Sequence, residues 1–206
     1  MTAAIIVDGP AAADWTLILA HGAGAPMDTP LMTRLAHGLG DSGIRVIRFE
    51  FEYMARRRQD GKKRPPDAAS KLLARFREAI GNADWASRVA LGGKSMGGRM
   101  ATLLAAEGHG EAAIVFGYPF HPPGKPDRLR LDHFPGIACP VLICQGERDR
   151  FGTADEVAGY TLPAGIHLHW APDGDHDLKP RKASGHSHDG HLDAAVTAAA
   201  RFLTAL

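Results

Sequence analysis

Short apolar bursts recur along the chain between amphipathic stretches, at Trp15–Ala20, Ile44–Phe49, Arg88–Gly92, Ala112–Gly117, Val141–Cys144 and Ile166–Trp170. Strands that are apolar on both faces belong in a sheet covered on both sides, and their spacing is that of repeated strand-helix units. A weaker run, Ala3–Val7, leads in as an edge strand. The expected architecture is therefore α/β, a doubly wound, mostly parallel sheet sandwiched by helices. The chain has 206 residues and no internal stretch of linker composition, which predicts one domain over 1–206.

Helix ends are legible between the bursts. Thr29-Pro30 offers a cap and a proline at the first helical position, followed by Leu31, Leu35 and Leu39 along one face. Asp67 is placed to start a helix whose Leu72, Leu73, Phe76 and Ile80 keep helical spacing. A last helix, roughly 190–205, carries Leu192, Ala195, Val196, Ala199 and Leu203. The Pro-rich piece from Pro119 to Pro135 is expected as a long ordered loop, and the stretch between Gly117 and Val141 is too short for a large helical cap.

One junction is unusual. LGGKSMGGRM, residues 91–100, surrounds Ser95 with four glycines directly after an apolar burst. Gly93-Lys94-Ser95-Met96-Gly97 fits G-x-S-x-G at a strand-to-helix turn, where a serine is held in a strained conformation above the strand's carboxyl end and small neighbours let strand and helix approach. A phosphate loop needs a glycine five positions before the Gly-Lys pair, and Arg88 stands there instead.

Serine forms no alkoxide at neutral pH without a base, and the base needs an orienting acid, so two partners are expected at later strand ends. Asp149 lies in the loop after the Val141–Cys144 burst, with Glu147 and Asp155 as rivals. His176 lies in the loop after Ile166–Trp170, whereas His169 falls inside that burst and is expected to be packed. An oxyanion would take the backbone N–H of Met96, at the helix start, and a second N–H from His21-Gly22-Ala23-Gly24, with Ala23 the expected donor and His21 structural.

With LILAHGAGA, GGKSMGGRMA, CPVLICQGERD and GDHDL in this order, the chain resembles the α/β-hydrolases over essentially its full length. On FEYMARRRQDGKKRPPD, GYPFHPPGKPDRLR and GDHDLKPRKASG it resembles more narrowly the small hydrolase-like group that includes the testis-expressed protein 30 and KAT8 regulatory complex subunit 3 families. The dienelactone hydrolases are more distant relatives and carry cysteine where this chain has Ser95. The wider resemblance implies hydrolysis of an ester, thioester or related acyl bond through Ser95, His176 and Asp149, without a cofactor. The narrow one implies no particular substrate, and it leaves room for a protein partner and for the alternative of a non-catalytic interaction module on a hydrolase scaffold.

The remaining polar features have plainer readings. Arg56, Arg57, Arg58, Lys62, Lys63 and Arg64 form a basic run with one acid, Asp60, expected as a solvated loop. Because it follows the burst ending at Phe49, it leaves the sheet at the same edge as Ser95. Arg56, Arg57 and Arg58, with Lys94, are therefore candidates to bind an anionic substrate or partner. Nucleic acid is disfavoured: 24 basic against 23 acidic residues leave no general positive field, and Tyr53 alone interleaves the basic run with an aromatic ring. His186, His188 and His191 sit in a polar, Gly-rich helix start, read as capping and solvated rim rather than a metal site. Cys139 and Cys144, five positions apart in a strand, lie roughly 16 Å from each other on opposite faces, too far for a disulfide. With no basic, apolar leader and no membrane-length apolar run, the expected location is the cytoplasm, without membrane contact.

Overall fold

The structure, a computed structural model, describes residues 5–81 and 88–206. Its strands are β1 (Ile5–Asp8), β2 (Trp15–Ala20), β3 (Arg45–Phe49), β4 (Arg88–Lys94), β5 (Ala112–Phe116), β6 (Val141–Gly146) and β7 (Ile166–Ala171). They form one sheet in the order β1-β3-β2-β4-β5-β6-β7. Only β1 runs antiparallel, pairing Ile5 with Phe49 and Asp8 with Val46; every other pairing is parallel. Ala3 and Ala4, the start of the expected edge strand, lie outside the described residues.

Both faces of the inner strands are buried, as their composition requires. Leu17 and Leu19 of β2 pack on one side with α1 (Pro30–Asp41) and α6 (His188–Thr204). Ile18 and Ala20 pack on the other, where α3 (Ala69–Gly81) and α4 (Met96–Ala106) cover the sheet through Leu72, Phe76, Met100 and Leu104. A third cluster beyond them joins Val115, Ile143, Tyr118, Phe120 and Phe134. Thr29 caps α1 as expected, its hydroxyl accepting the Met32 N–H at 3.3 Å. Arg48 is the polar exception in β3: its guanidinium pairs with Asp8 and donates to Met27 O and Thr33 Oγ1, so its burial is fully compensated.

Two local expectations are corrected. The basic run is not a loop throughout, because residues 52–60 form α2 (Glu52–Asp60). Its apolar anchors are few, Tyr53 and Met54, which is why no helical stripe is visible in the sequence; the helix ends at Gly61 in the left-handed region. Asp67 does not cap α3, which begins at Ala69. Its carboxylate instead accepts the Tyr53 N–H at 3.1 Å, capping the first turn of α2 from 14 residues away.

The segment 117–140 crosses the carboxyl edge with a single 3-10 turn, Phe134–Gly136. It builds no helical lid. Among the described residues, no helix is long and apolar enough to cross a membrane.

Candidate active site

The turn from β4 into α4 holds Ser95 at φ 52°, ψ −115°. A non-glycine residue there is strained, and the surrounding structure has to over-determine it. Ser95 N–H is tied to Phe116 O at 3.1 Å on the neighbouring strand. A Cβ on Gly97 would come within 2.5 Å of His21 O, and one on Gly93 within 2.4 Å of the Gly97 carbonyl carbon. Side chains at either position would force α4 off the sheet. This is the physical reason for the glycines in the motif.

Two loops from far along the chain meet this serine. Ser95 Oγ lies 2.8 Å from His176 Nε2, and His176 Nδ1 lies 2.7 Å from Asp149 Oδ2. Ionised Asp149 only accepts, so Nδ1 carries the proton and the neutral ring presents Nε2 to the hydroxyl. Asp149 is fully buried and doubly held: Oδ2 accepts from Gln145 Nε2 at 2.9 Å, and Oδ1 accepts the Phe151 N–H at 2.9 Å. Phe151 then covers one side of the imidazole, 4.3 Å between ring centres. The rivals lie elsewhere: Glu147 accepts the Asp173 N–H at 2.8 Å, and half-buried His169 stays within β7.

Sequence reasoning missed Gln145. Its Oε1 accepts the Tyr118 N–H at 2.7 Å while its amide nitrogen faces Tyr118 O, Gly152 O and Asp149, welding β6, β5 and the acid's turn together. The one visible signal is a polar residue inside the otherwise apolar strand VLICQG.

The loop after β2 runs over Ser95, so close that a Cβ on Gly22 would fall 3.8 Å from Ser95 Cβ. Gly22 O receives His21 Nδ1–H at 2.7 Å and Tyr53 O–H at 3.3 Å; Tyr53 O–H also reaches Ala23 O at 2.9 Å, and Arg57 reaches Gly24 O at 3.0 Å. In a trans peptide the N–H points opposite to the C=O, so pinning Gly22 O outward turns the Ala23 N–H the other way. Met96 N–H, at the first position of α4, has no intrahelical acceptor. His21 is structural: it is fully buried, accepts the Phe51 N–H at 3.1 Å, and burial pushes its pKa down.

The charges nominated from sequence are differently employed. Lys94 is buried, and its ammonium donates to His176 O at 2.8 Å and pairs with Asp177 at 3.1 Å. These contacts brace the histidine loop. Arg58 is taken up by buried Glu50 and by Asp28, Arg56 by Asp67 and Glu52, and Arg57 by Gly24 O. Apart from Glu52, their acceptors lie just after β3, in the loop after β2 and just before α3, which a linear reading of the run does not reveal. His188 and His191 are spent on the same histidine loop, at 2.9 Å from Asp177 O and 2.8 Å from Leu178 O; His186 stacks 5.3 Å from His191. Cys144 is buried with its thiol pushed up to about 12 by desolvation, and both cysteines are free.

Two hollows lie away from this site. A groove of about 940 Å³ opens at the opposite end of the sheet between Trp15, Ile44, Arg88 and Leu203, and one of about 420 Å³ lies beside Glu147, Asp173 and His186. Neither is lined by Ser95 or His176. The convergent side chains are what nominate Ser95, His176 and Asp149 as the candidate site.

Comparison with known proteins agrees with this architecture. Residues 13–204 match the model of a family described as an alpha/beta hydrolase domain. Among solved structures, Est1E from Butyrivibrio proteoclasticus, determined with ferulic acid bound, superposes with a TM-score of 0.73 at 17% identity, covering 98% of this chain and 94% of that one. A dienelactone hydrolase from Anabaena variabilis gives 0.70 at 20% identity over 98% and 90%. A serine hydrolase without lid from Xanthomonas campestris gives 0.67 at 22% identity over 94% and 88%. At these identities the likeness is one of fold.

Proposed function

The chain belongs to the alpha/beta hydrolase domain family, and from that premise we propose that it is a single-domain serine hydrolase cleaving an ester, thioester or related acyl bond of a small substrate. The observation that carries this is the unbroken path Ser95 Oγ, His176 Nε2, His176 Nδ1, Asp149 Oδ2, with links of 2.8 and 2.7 Å. Ser95 Oγ attacks the acyl carbon as its proton passes to His176 Nε2. Asp149 stabilises the imidazolium without taking the proton, and Gln145 and the Phe151 N–H keep the carboxylate in place. The N–H groups of Ala23 and Met96 receive the oxyanion, each such donor being worth about 10²–10³ in rate. His176 returns the proton to the leaving group. The same steps, with water as nucleophile, release the acid and restore Ser95. Two free thiols favour a cytoplasmic setting for this enzyme. On the motifs quoted above, we place it with the testis-expressed protein 30 and KAT8 regulatory complex subunit 3 group.

The test is mass-spectrometric detection of fluorophosphonate labelling on the purified protein, beside Ser95→Ala and His176→Ala. Labelling at Ser95 that disappears in both variants is the expected result. A folded wild-type protein that stays unlabelled would refute the reading and leave an interaction module on a hydrolase scaffold.

A further inference from the structure

Most arginines of the described chain are matched with carboxylates, among them Arg48, Arg58, Arg88 and Arg148. Arg99 and Arg130 are not. Arg99 lies one helical turn beyond Ser95, its N–H bonded to Ser95 O at 3.0 Å. Its guanidinium faces the loop after β5, close enough for its charge to act on His133 and Arg130. Its Nε is buried and has no hydrogen-bond partner, and no carboxylate pairs with it among the described residues. Arg130 approaches from the loop that leaves β5. Its Nη1 reaches Pro119 O at 3.5 Å, two residues from Gly117, where a Cβ would lie 3.2 Å from His176 Nδ1.

The surroundings make the pair costly as it stands. Tyr118 O–H donates to Arg130 O at 2.7 Å, and His133 Nε2 is engaged by Thr102 at 2.9 Å, so neither neighbour supplies an anion to the arginines. Burial and then the neighbouring Arg99 charge hold the His133 pKa down to about 4, and both also push the Arg130 pKa down. The nearest acid on this stretch, Asp132, is exposed and pairs with neither arginine. Two guanidiniums near enough to feel one another's charge repel unless an anion lies between them, and their planar donor forks suit a carboxylate or phosphate.

We propose that Arg99 and Arg130 form an anion subsite next to Ser95, selecting acyl substrates that carry a carboxylate or phosphate group. The proposal rests on the serine hydrolase reading above and moves the anionic preference from Arg56, Arg57 and Arg58 to a different pair.

The test uses two panels of substrates. In one, 4-nitrophenyl monoesters of succinate, glutarate and adipate are compared with 4-nitrophenyl butyrate, valerate and hexanoate, which places the charge on the acyl chain. In the other, butyryl thioesters of 3-mercaptopropionate and of N-acetylcysteamine are compared, which places it on the leaving group. In low salt, the wild-type protein should favour the anionic member of one panel at least about tenfold in kcat/KM, the worth of one charge-assisted hydrogen bond. Arg99→Gln and Arg130→Gln should each remove most of that preference while leaving kcat/KM for the neutral substrates within about twofold. Arg99→Lys, which keeps the charge, should retain part of it, and covers the case in which Arg99→Gln fails to fold. Neutral and anionic substrates hydrolysed equally well in both panels would overturn the subsite and leave the hydrolase intact. Equal losses on both substrate types in the variants would also overturn it. No turnover together with no fluorophosphonate labelling of Ser95 would overturn the hydrolase reading, and the subsite with it.

Discussion

Gly117 and Gly124 share one backbone angle, φ 69°, and differ in everything around them. A Cβ on Gly124 would meet nothing within 4 Å. On Gly117 it would lie 2.7 Å from His176 O, 3.1 Å from Lys94 Nζ and 3.2 Å from His176 Nδ1. Replacing either by alanine costs the left-handed penalty, about 1–2 kcal/mol. For Gly124→Ala that is the whole effect, a fall in Tm of about 2–8 °C for a chain of this size, with labelling of Ser95 unchanged. For Gly117→Ala, carbon and oxygen need roughly 3.3 Å, so the His176 carbonyl must retreat by about 0.6 Å, and with it the hydrogen bond from Lys94. A displacement approaching 1 Å in a catalytic group is worth about 10² in rate. The expected outcome is a total destabilisation of about 2–4 kcal/mol and a loss of roughly tenfold to a hundredfold in fluorophosphonate labelling rate at 25 °C, measured where both variants are fully folded by circular dichroism. If the two variants label at the same rate, the contact between Gly117 and the histidine loop does not position His176, and the reasoning fails.

Three further outcomes follow from single contacts. Gln145→Leu orphans the Tyr118 N–H and withdraws a donor from Asp149 Oδ2, both buried, and should lower stability by about 2–4 kcal/mol in urea titration while slowing labelling of Ser95; unchanged stability would mean another group takes over both bonds. Arg58→Gln strips the charge partner from Glu50, whose side chain is 1% exposed, and should cost about 2–3 kcal/mol in the same titration. Its KM values for anionic and neutral esters should move together, and a selective rise for anionic ones would restore Arg58 to substrate binding. His133 has its pKa lowered from 6.5 to about 4, first by burial. Between those pH values the unfolded chain binds a proton that the folded one refuses, so folding stability falls as pH drops through that window. His133→Gln should therefore lose less Tm than wild type between pH 7.5 and 4.5; parallel losses would assign the acid sensitivity elsewhere.

The strands were legible because each inner strand buries both faces, a demand that leaves an unbroken apolar run in the sequence. Val141–Gly146 and Ile166–Ala171 match the bursts to within two residues. The helix α2 was not legible, since Glu52-Tyr53-Met54-Ala55-Arg56-Arg57-Arg58 has no apolar stripe and is held by Asp67 and Glu50 from outside itself. Asp67 failed as a cap of α3 for the same reason: a carboxylate suits any nearby helix start, and folding delivered it to a different one.

Ser95, Asp149 and His176 could be nominated from sequence because each follows a strand that must end at one edge of a parallel sheet, so local chemistry and topology coincide. Whether their atoms meet, and what the cations around them do, is decided by tertiary structure. Lys94 stands beside the serine in sequence yet braces the loop of His176, 82 positions away. Arg56, Arg57 and Arg58 look free in the chain and are bound in the fold, while Arg99 and Arg130, inconspicuous in the chain, are left without a carboxylate partner among the described residues. Backbone conformation and apolar burial are written locally, residue by residue; the pairing of charges is a property of distances between segments, and those exist only once the sheet has closed.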